Sequence, residues 1–300
     1  MKDLHAAIGR LGRTLLLLCS VVGVAAGASA EVFDQTIPAA PGTRLDVRLY
    51  GGAVVVRGWS RDEVRVRATH FRTDTIDLRV VGQAITVRAH TRVGAPHAID
   101  VDIDVPTWMA VAIVGTYVDI SVTGTRASVA AATVRGDVTV TGGVGTISLK
   151  TIEGEVVLEG GEGRADLSGV NNGVRVTGLH GDLFAETVNG NVKLQGVQST
   201  SVEVGTIGGD VSWDGPMISQ GHYQFATHDG DIDVTLPPTD NAAVSVRAFE
   251  GQFRSTFPVK LPEESARHKR FGFVLGTGMA RLDLESFRGT ISLRQASSDR

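Results

Sequence analysis

The chain has 300 residues, one cysteine and only 5 % aromatic side chains, and each shortage excludes a class of protein. A single thiol cannot form an intramolecular disulfide, so no cystine framework holds the fold. The eight histidines fall in no zinc-ligand spacing, and His-Glu-x-x-His is absent, which argues against zinc catalysis. Basic residues are not in excess: 29 Lys and Arg face 33 Asp and Glu, a balance that does not attract nucleic acid.

What the chain has in quantity is glycine, 37 residues, together with small and β-branched side chains. That composition suits thin stacked β-layers better than a thick globular core.

The N-terminus has the pattern of a secretory signal peptide over residues 1–30. Lys2, Arg10 and Arg13 precede the apolar run Thr14 to Ala26, and Ala28-Ser29-Ala30 supplies the small-residue cleavage site. An N-terminal membrane anchor is the competing reading, but the run is short for a span and no basic stop-transfer flank follows. Lipidation at Cys19 would require a small residue before it, where Leu18 stands. Cleavage after Ala30 would leave 26 basic and 32 acidic residues, no cysteine, and a location in the periplasm or on the outer surface of a bacterium.

From Val118 to Leu236 the sequence repeats. A phase position holds Gly136, Gly154, Asn172, Gly190, Gly209 and Gly230, at steps of 18, 18, 18, 19 and 21 residues. Two and four residues later come apolar pairs such as Val138 and Val140, Val156 and Leu158, and Val211 and Trp213. Seven and five residues before it come pairs such as Ile147 and Leu149, and Tyr223 and Phe225. Period-two alternation marks a strand with one buried face, so each unit carries at least two short strands. A second glycine recurs six residues after the phase position, at Gly142, Gly160, Gly178, Gly196 and Gly215, where a corner is needed. Positive φ is the expected reason for both glycine columns, with Asn172 as a tolerated replacement. Units this short bury a hydrophobic face only by stacking.

The same columns recur at Leu45 to Gly58, at Val244 to Phe253 and at Leu282 to Leu293. The expected organisation is a signal peptide over 1–30, opening coils and a cap over 31–110, and a regular β-solenoid over 111–256. An inserted loop over 257–278 and a final coil over 279–300 complete it.

Three features compete for a functional role. The insertion carries the basic cluster Arg267, His268, Lys269 and Arg270, which could meet an anionic glycan or lipid head group, while Phe271 and Phe273 dock on the stack; a solvated loop is the plainer reading. The column after the phase position holds Asp137, Glu155, Gly173, Asn191, Asp210 and Asp231. Carboxylates about 4.8 Å apart on adjacent coils repel unless solvated, turned away or bridged, so Asp137, Glu155, Asp210 and Asp231 are weak calcium candidates; Gly173 and Asn191 interrupt them. The threonine column Thr133, Thr151, Thr187, Thr206 and Thr227 fits corner hydrogen bonding better than a binding face. Trp213, in an inward column, reads as core.

The Gly52 to Trp59 segment Gly-Ala-Val-Val-Val-Arg-Gly-Trp, the repeated Thr-x-x-Gly-(Asp/Glu/Asn)-Val units and the closing Gly278 to Leu293 together resemble the bacterial DUF4097 family of adhesin-like proteins. The resemblance covers nearly the whole chain after residue 30. It implies a single-stranded right-handed β-helix, secreted or surface-associated, without established enzymatic activity and without catalytic residues or cofactors to transfer. The expected function is a non-catalytic envelope module that binds an envelope glycan or surface component; the oligomeric state is left open. The rival class is a β-helical polysaccharide lyase or hydrolase acting through residues such as Asp210, Asp231, His228 and Arg247, which would require two opposed carboxylates or a base beside a charge neutraliser.

Overall fold

The computed structural model describes residues 30–92, 94, 97–259 and 269–296, and this part of the chain is all-β. Its regular part follows directly from the alternation. Strands β8 (Val129–Arg135), β10 (Val144–Glu153), β12 (Glu162–Ser168), β14 (Leu183–Glu186), β16 (Ser201–Thr206) and β18 (His222–Asp229) pair in parallel, each with the next in that series. Strands β9 (Val138–Thr141), β11 (Val156–Glu159), β13 (Val174–Thr177), β15 (Val192–Gln195), β17 (Val211–Asp214) and β19 (Ile232–Leu236) form a second parallel ladder. Sequence neighbours thus alternate between ladders, and each unit lies on the previous one as a rung. Ile147 sits over Val129 and Val156 over Val138, so the repeat period is also the pairing register.

The inward columns Val156, Leu158, Ile147 and Leu149 are fully buried, as are their equivalents in the neighbouring rungs. A third inward column, Leu179, Val197 and Met217, closes the remaining side of each cross-section. The bridges Glu162 to His180 and His180 to Gln198 link rungs there. Trp213 lies in the core, edge-on to Tyr223 at 5.4 Å and tilted against Phe225 at 5.6 Å. Its indole N–H donates to the Gly215 carbonyl (2.8 Å), which satisfies the one polar atom the ring buries.

The two glycine columns differ in cause, and one follows the positive-φ expectation only in part. Gly160 has φ +72° with open space where a Cβ would point, and Gly142, Gly178 and Gly196 likewise have positive φ, though Gly215 does not. At the phase position close approach is the cause the whole column shares: Gly136, Gly154 and Gly289 also have positive φ, whereas Gly190, Gly209 and Gly230 do not. A Cβ on Gly154 would lie 1.9 Å from the Gly136 carbonyl oxygen, and one on Gly230 would lie 2.0 Å from that of Gly209. Asn172 is not in the positive-φ region.

At both ends of the stack, spatial order departs from chain order. β23 (Ala280–Arg288) and β24 (Thr290–Gln295) form a rung seated directly on β18 and β19. The earlier segment, β20 (Ala242–Ala248) and β21 (Gln252–Ser255), lies outside it. β22 (Arg270–Leu275), inside the expected insertion, then pairs antiparallel with β20. At the other end β2 (Arg44–Trp59) lies between β7 (Ala110–Thr123) and the rung of β5 (Ala84–Thr91) and β6 (Val101–Pro106). The antiparallel strands β1 (Ala30–Pro38), β3 (Glu63–Phe71) and β4 (Asp74–Val81) cover that end.

Candidate interaction surface

The acidic column that invited a metal or an acid-base pair is part of the corner geometry. Asp137 Oδ1 accepts the backbone N–H of Glu155 (2.7 Å), Asp210 Oδ1 accepts that of Asp231 (2.9 Å), and Asp231 Oδ1 accepts that of Thr290 (2.7 Å). Asn191 continues the device, its Oδ1 accepting the N–H of Asp210 at 2.8 Å. Each side chain satisfies a corner amide of the next rung in place of a carbonyl, which explains why Asn replaces Asp here. Glu155 pairs with Arg175 at 2.9 Å. Among the described residues no group of three His, Cys, Asp or Glu is arranged to hold a metal ion.

The threonine column is equally structural. Thr151, Thr187, Thr206 and Thr227 are buried, and their hydroxyls donate to the carbonyls of Gly136, Asn172, Gly190 and Gly209 at 2.9 to 3.0 Å. Ser286 does the same to Gly230 at 3.1 Å.

The residues weighed for glycan cleavage do not converge. Arg247 pairs with Glu285 at 3.0 Å, and His228 stacks on Phe287 with centroids 4.8 Å apart, its Nδ1 3.6 Å from Asp229. Of the basic cluster, Arg267 and His268 lie outside the described residues, while Lys269 and Arg270 are exposed at the start of β22. Phe271 and Phe273 do dock, against Phe253 at 5.2 and 5.7 Å.

Titration is perturbed at a few sites away from these columns. Burial works to raise the Asp74 carboxyl, but hydrogen bonds from Thr91 Oγ1 (2.6 Å) and His97 Nδ1 (3.0 Å) outweigh it and hold the group below its ordinary value. Burial raises Asp240, partly opposed by the N–H of Met217 at 2.8 Å. Burial likewise raises the Tyr223 phenol, which donates to the Ser199 carbonyl at 2.6 Å.

A different column forms the most continuous exposed feature. Two residues before the phase position stand Val134, Ile152, Val188, Ile207 and Phe287, between 36 and 56 % exposed although apolar. They sit just past the buried threonines, at the last residues of a strand (Val134, Ile152, Phe287) or in the bend that follows it (Val188, Ile207), so the 18-residue register aligns them as a stripe down the stack. Beside the stripe runs a groove. One section of about 410 Å³ is lined by Ser168, Val170, Glu186, Val188, Gly205 and Ile207. A second, of about 290 Å³, continues from Gly205 past Ala226 and His228 to Phe249 and Phe287. Phe287 lies between His228 and Phe249, 5.7 Å from the latter, so the stripe ends in an aromatic stack. The spacing Val134, Ile152, Val170, Val188, Ile207 is present in the sequence, but these residues stand outside the inward alternation that marks the core columns.

The family pattern described as Toastrack DUF4097 matches residues 43–294. The chain belongs to this family. Among solved structures, this DUF4097 protein is similar to a candidate adhesin from Parabacteroides distasonis, at 10 % identity and TM-score 0.52, over 89 % of this chain and 98 % of that one. It is similar also to a candidate adhesin from Parabacteroides merdae, at 9 % identity and TM-score 0.52, over 90 % and 98 % of the two chains. At these identities the likeness concerns the fold. No curated protein matches the chain.

Proposed function

We propose that this DUF4097 protein is a non-catalytic structural or adhesin-like binding module of the bacterial cell envelope. On this reading it is a single-stranded right-handed β-helix, secreted after removal of residues 1–30. The observation that carries the proposal is the use of the acidic column: Asp137, Asp210 and Asp231 each accept a backbone amide from the next rung, so these carboxylates build corners. The parallel register of successive units supports the β-helix, and the likeness to two structures described as candidate adhesins is in keeping with a role in contact. Lys269 and Arg270, both exposed, offer an anionic envelope glycan a charged contact at one end of the stack.

The test is a panel of purified envelope polysaccharides, scored in parallel for binding and for depolymerisation. Saturable binding without chain shortening is expected, weakened in the Lys269→Ala/Arg270→Ala variant. Release of reducing ends or unsaturated sugars, abolished by Asp210→Asn or Asp231→Asn, would replace this reading with that of a glycan-cleaving enzyme.

A further inference from the structure

We infer that the exposed apolar stripe is a self-association surface, on which a second copy of this chain packs antiparallel about a two-fold axis passing between the rungs of Val188 and Ile207. The stripe calls for a cover, since a contiguous exposed apolar track rimmed by polar residues is the usual mark of an interaction site. Its flanking charges specify the occupant.

Eight rungs contribute to the stripe, in spatial order Val134, Ile152, Val170, Val188, Ile207, His228, Phe287 and Phe249. A two-fold axis lying across the stripe at its midpoint brings Val188 opposite Ile207 of the second copy, Ile152 opposite Phe287, and Val134 opposite Phe249. Each aromatic then faces an aliphatic side chain, so bulk meets space.

The same operation acts on the columns at either side. In the column following the stripe, Arg135 falls opposite Glu250 and Glu153 opposite Arg288. In the column on the groove side, Lys150 falls opposite Glu285. These charged pairs combine opposite signs, and the symmetry repeats each of them twice. Within one copy Arg135 already pairs with Glu153 and Arg288 with Asp229, so these four charges are offset before they are buried. Small residues at Gly205 and Ala226 open the groove wall beside the axis.

An isologous contact of this kind closes on itself and gives a dimer rather than a fibre. Seven steps of about 4.8 Å make a strip about 34 Å long and four columns wide, at the small end of specific interfaces, so association in the micromolar range is expected. This inference deepens the reading of the protein as a contact module, but rests on the surface geometry; dimerisation is measured without any envelope ligand, so either idea fails separately.

The experiment uses the full chain carrying Cys19→Ser, which removes the natural thiol. Sedimentation across roughly 1 to 200 µM is expected to show a monomer–dimer equilibrium. Ile207→Glu should abolish it, and Lys150→Glu should weaken it by about tenfold, with Lys150→Glu/Glu285→Lys restoring most of the loss. Ile152→Cys/Phe287→Cys supplies the register test. Within one copy these positions lie five rungs, about 24 Å, apart, too far for a disulfide. Between copies they meet, so the double variant should oxidise to a covalent dimer while neither single variant does. A monomer at every concentration overturns the inference, as does a dimer that survives Ile207→Glu or that cross-links equally through the single cysteines.

Discussion

The backbone N–H of Glu155 points at Oδ1 of Asp137, 2.7 Å away on the neighbouring rung, so a carboxylate that reads as a weak calcium candidate acts as a corner support. Asparagine supplies the same oxygen without the charge. Asp137→Asn is therefore expected to leave stability nearly unchanged, whereas Asp137→Ala should lower it by up to about 1 kcal/mol in urea unfolding. Equal losses in the two variants would mean that charge, not the acceptor, matters there.

Thr187 gives a sharper case because it is buried. Its hydroxyl donates to the Asn172 carbonyl at 2.9 Å, so Thr187→Val keeps the shape and leaves that carbonyl without its partner. A loss of about 1–3 kcal/mol is expected in equilibrium unfolding. A neutral result would show that water reaches the carbonyl.

The two glycine columns should respond differently to alanine. Gly154→Ala drives a Cβ into the Gly136 carbonyl and requires neighbouring rungs to separate. Gly160→Ala meets open space and incurs about 1–2 kcal/mol for the left-handed backbone. The first variant should be the less stable, and Gly160→Asn should regain part of the second loss, as read by thermal unfolding.

Two carboxyls set opposite slopes of stability against pH. Asp74 is held low in the folded chain, so its contribution is present above the unfolded value of about 3.9 and is lost as pH falls through the lower folded value. Asp74→Asn should therefore flatten the acid limb of a melting-temperature profile. Asp240 is raised, so its contribution is present below the unfolded value and is lost as pH rises through the folded one. Asp240→Asn keeps an acceptor for Met217 and should raise the melting temperature at pH 7, with the gain vanishing near pH 3.

The sequence made the rungs legible because Val156, Leu158, Ile147 and Leu149 each obey a strand's alternation. Trp213 was legible for the same reason; Phe271 and Phe273 were legible only as apolar residues of an insertion, whose strand β22 no alternation announced. The order of the end rungs was not. Val244 and Val246 match the columns as well as Leu282 and Leu284 do, and a parallel ladder accepts either on β18. Side-chain spacing also conceals whether a glycine answers a torsion or a neighbouring carbonyl, and Asn172 stands in its column without a positive φ. The stripe from Val134 to Phe249 was not legible because its residues face outward at strand ends and in the bends after them, where apolar character has no inward alternation to mark it.

Whether the acidic column holds the fold rather than a metal or a substrate is decided by replacing its aspartates together. Asp137→Asn/Asp210→Asn/Asp231→Asn retains every Oδ1 acceptor and removes three charges. Its melting temperature, measured with and without millimolar calcium, is expected to match that of the unaltered chain and to be indifferent to the ion in both. A calcium-dependent rise in the unaltered chain that disappears in the triple variant would contradict the claim.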